Sequence, residues 1–291
     1  MTRRLTAIVG VCAILFVLES CATPPASAVC NNGRAAPAKY QSVVVFSFEN
    51  RTWSGVGGAG FNSMPYLHSL ARSCSYFSSW TETSSSQNSL TQYGGQVTGA
   101  FESGLVNDCS PSASCSTTAD NIFRQARAAG KTAINYVEGA TAGCSAAGNA
   151  AKHVPSLYMW GADDPAFCDA QTRPYRELDP NNPPNFAFVT PTECNDGHDC
   201  SNGTVDNWAR THVQRVLNSS RYRAGQVAVF IWYDEDSPVP NMQIAPTAKP
   251  GPSTTSGIGY ASTLQAWESM LGFPCLANAC TAPNLRTVAR I

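Results

Sequence analysis

Seven consecutive residues, Ser42–Phe48 (SVVVFSF), carry no charge, are dominated by Val and Phe, and stop abruptly at Glu49-Asn50-Arg51. A run of that length with no polar alternation has the pattern of a strand covered on both faces, as in the interior of a parallel sheet. Val227–Tyr233 (VAVFIWY) repeats the pattern and stops at Asp234-Glu235-Asp236, and Asn185–Val189 is a shorter apolar run of the same kind. Ser75–Trp80 and Thr132–Tyr136 also read as strands. Between these runs the spacing predicts helices over Met64–Ala71, Ser89–Val97, Ala119–Ala129, Val205–Leu217 and Ser262–Leu271; the third ends at Gly130 and the last at Gly272 and Pro274, both stop signals. Strands alternating with helices predict one α/β domain, a mainly parallel sheet sandwiched by helices. The cysteine-containing stretches 103–118 and 140–185 read as loops stapled on its rim.

Open α/β sheets bind ligands at the carboxyl ends of their strands. Two apolar strands here deliver acidic clusters to such ends. Either cluster alone reads as a solvated loop. Together, Glu49, Asp234 and Glu235 with the Asn50 amide make a hard-oxygen set suited to Mg²⁺, Mn²⁺ or Ca²⁺. Ser89 opens a predicted helix, where it is either an ordinary N-cap or a hydroxyl placed where the helix N-terminus favours a phosphoryl group. His153 (in KHVP) and His198 (in NDGHD) sit in loops, whereas His68 and His212 sit on helices and read as surface residues. Residue chemistry alone leaves these roles open.

The first residues read as an export signal. Arg3 and Arg4 precede an apolar run from Ala7 to Leu18, too short to span a bilayer and of the length of a signal h-region. Ala26-Ser27-Ala28 offers a small-residue cleavage site, while Leu18-Glu19-Ser20-Cys21 resembles a lipobox in which Cys21 would carry a lipid anchor. The organisation expected is a leader over 1–28, a tether over 29–39 and a domain over 40–291, with no transmembrane helix in the mature chain, secreted or held at the cell envelope. Of the 12 cysteines, Cys12 and Cys21 fall in the leader. The even remainder, in an exported chain, reads as disulfides. Cys109–Cys115, Cys194–Cys200 and Cys275–Cys280 suggest themselves as short-range pairs, leaving Cys30, Cys74, Cys144 and Cys168. With 13% charged residues and a formal net charge of −1, no basic surface is available for nucleic acid.

Taken in order, nine segments resemble the bacterial phosphoesterase family that contains acid phosphatases and non-specific phospholipases C, within the alkaline phosphatase superfamily. They are VVVFSFENR (43–51), MPYLHSLA (64–71), SLTQYGGQVTG (89–99), GKTAINYVEG (130–139), KHVP (152–155), FVTPTECNDGHD with DNW (188–199 and 206–208), VFIWYDEDSP (229–238), VPNMQIAP (239–246) and ASTLQAWESMLGFP (261–274). The resemblance runs from about residue 41 to about residue 280 and implies an alkaline-phosphatase-like fold holding one divalent metal ion. It implies Glu49, Asn50, Asp234 and Glu235 as metal ligands and Ser89 as a nucleophile that also touches the metal. His153 and His198 would contact phosphate or transfer protons, with Asp196 and Asp199 around His198. The implied activity is hydrolysis of phosphoric esters, on a phosphorylated small molecule or lipid, as a phosphomonoesterase working through a phosphoserine. A phospholipase C-type phosphodiesterase, or an impaired enzyme that binds a phosphorylated ligand at the envelope, are the other functions the resemblance allows. The chain departs from the family pattern at Gln87-Asn88, at Thr91 and Gln92, and at Tyr260, which stands where the family has a His and would meet the substrate with a hydroxyl.

Overall fold

Ser42–Phe48 forms β1, and all seven of its residues are buried. The cause is its place in the sheet, with a parallel strand hydrogen-bonded on each side and helices over both faces. The computed structural model describes residues 29–291 apart from 59–60, 86–87, 142, 145–147, 161–166, 254–255 and 290, so the expected leader and Cys21 lie outside the described residues. After β1 come β2 (Ser75–Phe77), β3 (Ala133–Val137), β4 (Thr172–Pro174), β5 (Phe186–Thr190), β6 (Val227–Tyr233), β7 (Met242–Ile244) and β8 (Gly251–Ser253), in one sheet of order β4-β3-β5-β1-β6-β7-β2-β8. Pairing is parallel from β4 through β6; β7 runs antiparallel to both of its neighbours, and β2 and β8 are parallel. The helices are α1 (Pro65–Ser73), α2 (Ser89–Thr98), α3 (Ile122–Ala128), α4 (Phe167–Gln171), α5 (Glu193–Asp196), α6 (Asn202–Leu217), α7 (Ser220–Arg223), α8 (Tyr260–Leu271) and α9 (Leu285–Ala289).

Strand periodicity assigns the two faces. Phe46 and Phe48 are two residues apart on β1, so they share a face, and both meet Trp208 of α6 edge-on at 6.0 and 5.9 Å. Val45 points to the opposite face, and its register partners Phe188 and Phe230 point there with it. That second face packs Phe186, Phe188 and Phe230 around Trp267 of α8, with ring centroids 5.3, 6.4 and 5.8 Å away. Each buried aromatic side chain contributes roughly 1.5–3 kcal/mol of transfer free energy. The two apolar layers therefore clamp β1 from both sides and fix where its carboxyl end lies.

Helix ends are satisfied across the fold as well as locally. α1 starts with Pro65 and has no capping side chain of its own at Met64. The Asp206 carboxylate on α6 accepts from the Tyr66 and Leu67 N–H groups, both at 2.9 Å, and takes the place of a local cap. This joins α1 to α6 on one face of the sheet.

Among the described residues five disulfides are formed: Cys30–Cys74, Cys109–Cys115, Cys144–Cys168, Cys194–Cys200 and Cys275–Cys280. The first ties down the stretch read from sequence as a tether. Cys30 is buried, the Val29 carbonyl accepts from the Tyr222 hydroxyl, and the Asn32 N–H donates to the Pro246 carbonyl. Expected and observed elements otherwise differ at the sheet margin. β2 stops at Phe77, short of the expected Trp80, which makes only an isolated bridge to Val239. The stretch 140–185, expected to be rim loop, contributes the edge strand β4.

Glu268 of α8 faces inward, 1% exposed, with only the Gln125 side chain and the Leu276 N–H as donors near its carboxyl group. Burial pushes its pKa up to about 8, against an ordinary 4.5. A carboxyl whose folded pKa is raised contributes stability that is full below its unfolded pKa and is lost as pH rises through the folded one. Between about pH 5 and 9, the melting temperature of the wild type should therefore fall more steeply than that of Glu268→Gln. Parallel curves for the two proteins would show that Glu268 stays ionised.

Candidate active site

The parallel pairing of β1 with β6 runs in strict register from Ser42↔Val227 to Phe48↔Tyr233. The next residue of each strand is an acid, so Glu49 and Asp234 emerge side by side, and both are buried. The chain then turns sharply at Asn50, which adopts left-handed backbone geometry (φ 49°), a conformation Asn tolerates better than most residues. In that turn the Asn50 N–H donates to Asp234 Oδ1 at 3.3 Å, across 184 positions of sequence. Arg51 fixes the turn from outside, donating to the Cys200 carbonyl at 2.8 Å and to the Asn202 side chain.

Ser89 is the first residue of α2, one place later than an N-cap. The cap position belongs to Asn88, and the Ser89 hydroxyl donates to Glu49 Oε2 at 3.0 Å instead of to its own helix. One turn on, the Tyr93 hydroxyl donates to the other oxygen, Glu49 Oε1, at 2.5 Å. Sequence reasoning did not select Tyr93. The available signal was its spacing, since residues four apart on a helix share a face.

His153 is fully buried between two carboxylates. Its Nε2 lies 3.4 Å from Glu49 Oε2 and its Nδ1 lies 3.2 Å from Asp196 Oδ2. Stacking on Tyr93, at 5.5 Å between centroids, holds the ring, and the Thr190 hydroxyl at the end of β5 holds its backbone carbonyl. Asp196 ends α5, the short helix that follows β5. Gly197 then turns the chain with φ 104°, where a Cβ would come within 2.9 Å of Val205 and 3.2 Å of Arg51. The turn presents the His198 N–H to Asp196 Oδ1 at 2.8 Å. At the mouth, His198 Nδ1 meets Asp199 Oδ1 at 2.7 Å and its Nε2 meets Lys152 Nζ at 3.1 Å. Lysine has only donors, so it donates to Nε2, and Nδ1 carries the proton given to Asp199.

The structure thus gathers Glu49, Asn50, Ser89, His153, Asp196, His198, Asp234 and Glu235 at the carboxyl ends of β5, β1 and β6, with Asp199 joined through His198. Tyr260 is the first residue of α8. Its hydroxyl accepts from Asn278 at 2.8 Å and its carbonyl accepts from Gln96, a residue two helical turns along α2 from Ser89. His212, read as a surface residue, is half-buried and stacks on Trp208 with centroids 4.3 Å apart.

Three buried carboxylates facing one another oppose ionisation. Burial, followed by the nearby charges of Asp234 and Asp196, raises the Glu49 pKa well above the ordinary range. Burial likewise lifts Asp234 to about 6 and Glu235 to about 8. His153 is pushed down to about 4 by burial and stays neutral. Asp234 Oδ2 and Glu235 Oε2 are buried without any hydrogen-bond partner, an arrangement that a bound cation would satisfy. Two ligand sets share Glu49, each with its ligand atoms within 4.8 Å of one another: Glu49-Asp234-Glu235 and Glu49-His153-Asp196. The first is all oxygen and fits Mg²⁺, Mn²⁺ or Ca²⁺; the imidazole in the second suits softer metals.

These raised pKa values make the metal-free protein lose stability as pH rises through about 6 to 8. Thermal melts in chelator should therefore fall with pH over that window, and a saturating divalent cation should restore the melting temperature by an amount that grows with pH. A restoration equal at every pH would place the cation away from these carboxylates.

A family model described as Phosphoesterase family matches residues 60–260. No curated protein matches the sequence. Among solved structures, the chain is similar to a protein of the alkaline phosphatase superfamily from Vibrio parahaemolyticus, with a TM-score of 0.62 at 13% identity over 87% of this chain and 72% of the other. It is also similar to the lipoteichoic acid synthase LtaP from Listeria monocytogenes, with a TM-score of 0.56 at 11% identity over 86% and 76% of the two chains. At such identities the likeness is one of fold.

Proposed function

The chain belongs to the Phosphoesterase family and is a phosphoric-ester hydrolase, and from that premise we propose that it is an exported phosphomonoesterase in which Ser89 attacks phosphorus. The observation that carries this reading is the Ser89 hydroxyl, buried at the start of α2 and hydrogen-bonded to Glu49 inside a cluster of uncompensated carboxylates.

Glu49, Asn50, Asp234 and Glu235, with the Ser89 oxygen, would hold one divalent cation. When bound, it lowers the pKa of the serine hydroxyl and offsets charge on the phosphoryl oxygens. The side chains account for the remaining work. Glu49 Oε2 orients the Ser89 hydroxyl and accepts its proton as the oxygen attacks. Tyr93, its own ionisation suppressed by burial and by Glu49, stays a hydrogen-bond donor and keeps the second Glu49 oxygen in place. Neutral His153, fixed by Asp196 on its far side, presents its ring edge toward the reacting group. Lys152 and His198 share an N–H proton at the mouth, and that proton passes to the alkoxide as the P–O bond breaks. Water then attacks the phosphoserine by the same groups in reverse, releasing phosphate and restoring the hydroxyl.

The five disulfides support an oxidising compartment, hence secretion or attachment at the cell envelope. Among the described residues no helix is long and apolar enough to cross a membrane. Phe101 is the single large apolar side chain left exposed among them, and this favours a soluble monoester over a membrane lipid as substrate.

Ser89→Ala should lower kcat on p-nitrophenyl phosphate by about 10³-fold or more while the melting temperature changes little. A variant that turns over within a few-fold of the wild type would remove Ser89 from the mechanism.

A further inference from the structure

Beside the start of α2 lies an open groove of about 380 Å³ whose polar lining comes from Asp108, Ser110, Lys152, Tyr158 and Glu193. None of these residues belongs to the proposed metal site. Two contacts join the groove to the reacting centre. Asp108 Oδ1 accepts from the Leu90 N–H, the residue directly after Ser89, at 3.0 Å. Lys152 reaches across from the other wall, 3.6 Å from Asp108 Oδ2 and 3.1 Å from His198 Nε2. An ester whose phosphorus lies against Ser89 therefore has this groove within one residue of its phosphoryl group.

The wall is pre-organised. Asn107 and Asp108 both have left-handed backbone geometry, with φ 57° and 49°. The Cys109–Cys115 disulfide closes the loop directly behind them, and the Tyr158 hydroxyl donates to the Cys109 carbonyl at 2.9 Å. A loop held this firmly keeps its side chains positioned before any ligand arrives, which reduces the ordering cost of binding.

The lining chemistry narrows the ligand. Asp108 and Lys152 compensate each other, which leaves the half-buried Glu193 carboxylate, the Ser110 hydroxyl and the one remaining ammonium hydrogen as a mixed set of acceptors and donors. Such a set matches a molecule that carries donor and acceptor on the same atom, namely a chain or ring of hydroxyl groups. A carboxylate accepts two neighbouring hydroxyls at once, and an acyl chain would leave all of these groups desolvated and unpaired.

We propose that this groove binds the alcohol portion of the substrate and that the alcohol is a polyol or sugar, so that the enzyme acts on polyol monophosphates. This rests on the phosphomonoesterase reading and adds the substrate class to it. Glu193 and Ser110 are the specificity-determining residues, because they can touch the alcohol without touching the phosphoryl group.

The test compares kcat/KM for glycerol 2-phosphate and glucose 6-phosphate with that for p-nitrophenyl phosphate, decyl phosphate and phosphocholine, in the wild type, Glu193→Gln and Ser110→Ala. The polyol esters should exceed decyl phosphate and phosphocholine in the wild type. Each substitution should lower the ratio of polyol to aryl ester by about tenfold, the size expected for one lost hydrogen bond to a charged or well-placed partner. As a check independent of turnover, calorimetry on Ser89→Ala should show glycerol 2-phosphate binding more tightly than inorganic phosphate, and Glu193→Gln in that background should remove the difference. Faster turnover of decyl phosphate or phosphocholine, or ratios that stay within twofold in both variants, would overturn the groove assignment while leaving the phosphatase reading intact. A wild type that hydrolyses none of the five esters would overturn both.

Discussion

The register between β1 and β6 places Glu49 beside Asp234 and leaves neither carboxylate room to move away. Both strands are buried on both faces and hydrogen-bonded along their whole length, so the pairing cannot slip by one residue without turning Phe46 and Phe48 away from Trp208. Like charges a few ångströms apart in a water-poor setting repel strongly, and this repulsion persists because the apolar layers hold the strand ends in place. Everything else at the site answers that enforced proximity. The Asn50 N–H, the Ser89 hydroxyl and the Tyr93 hydroxyl each give a hydrogen to one of the two acids. The oxygens left without a hydrogen-bond partner, Asp234 Oδ2 and Glu235 Oε2, are those a bound cation would satisfy.

The supporting contacts are layered by distance from that pair. Tyr93 touches Glu49 directly and also stacks on His153, so one ring positions both a carboxylate and an imidazole. His153 in turn stands between Glu49 and Asp196, and Asp196 receives the His198 N–H. The Cys194–Cys200 disulfide closes the loop that carries Asp196 and His198, and Arg51 ties the same loop to the end of β1. A displacement of any one of these groups would be transmitted to its neighbours, because each uses both of its polar ends.

Legibility in the sequence followed from how local the determining physics is. β1 and β6 could be read to the residue, since an unbroken apolar run ending in acids needs no distant context. Pairing the adjacent cysteines was likewise a matter of spacing. β7 and β8 escaped notice because three-residue strands such as Met242–Ile244 exist only through their neighbours in the sheet. Ser89 was legible as the start of a helix, yet the direction of its hydroxyl depends on Glu49, forty positions earlier. Tyr93 and Lys152 lie inside segments that resemble the family and Asp108 does not, yet the importance of all three comes from contacts across 44, 46 and 18 positions. Tyr260 shows the opposite case. A pattern match pointed to the reacting centre, while the hydrogen bonds of the residue itself run to Asn278 and Gln96.

Because Asn50 and Asp234 lie 184 positions apart, the reacting centre has no existence in a fragment that lacks either strand. A chain that has formed β1 but not yet docked β6 lacks Asp234 and Glu235 beside Glu49, and with them a complete set of oxygen ligands. Hydrolysis therefore requires the central sheet to be closed through β1 and β6. An incompletely folded chain would thus meet phosphate esters without hydrolysing them.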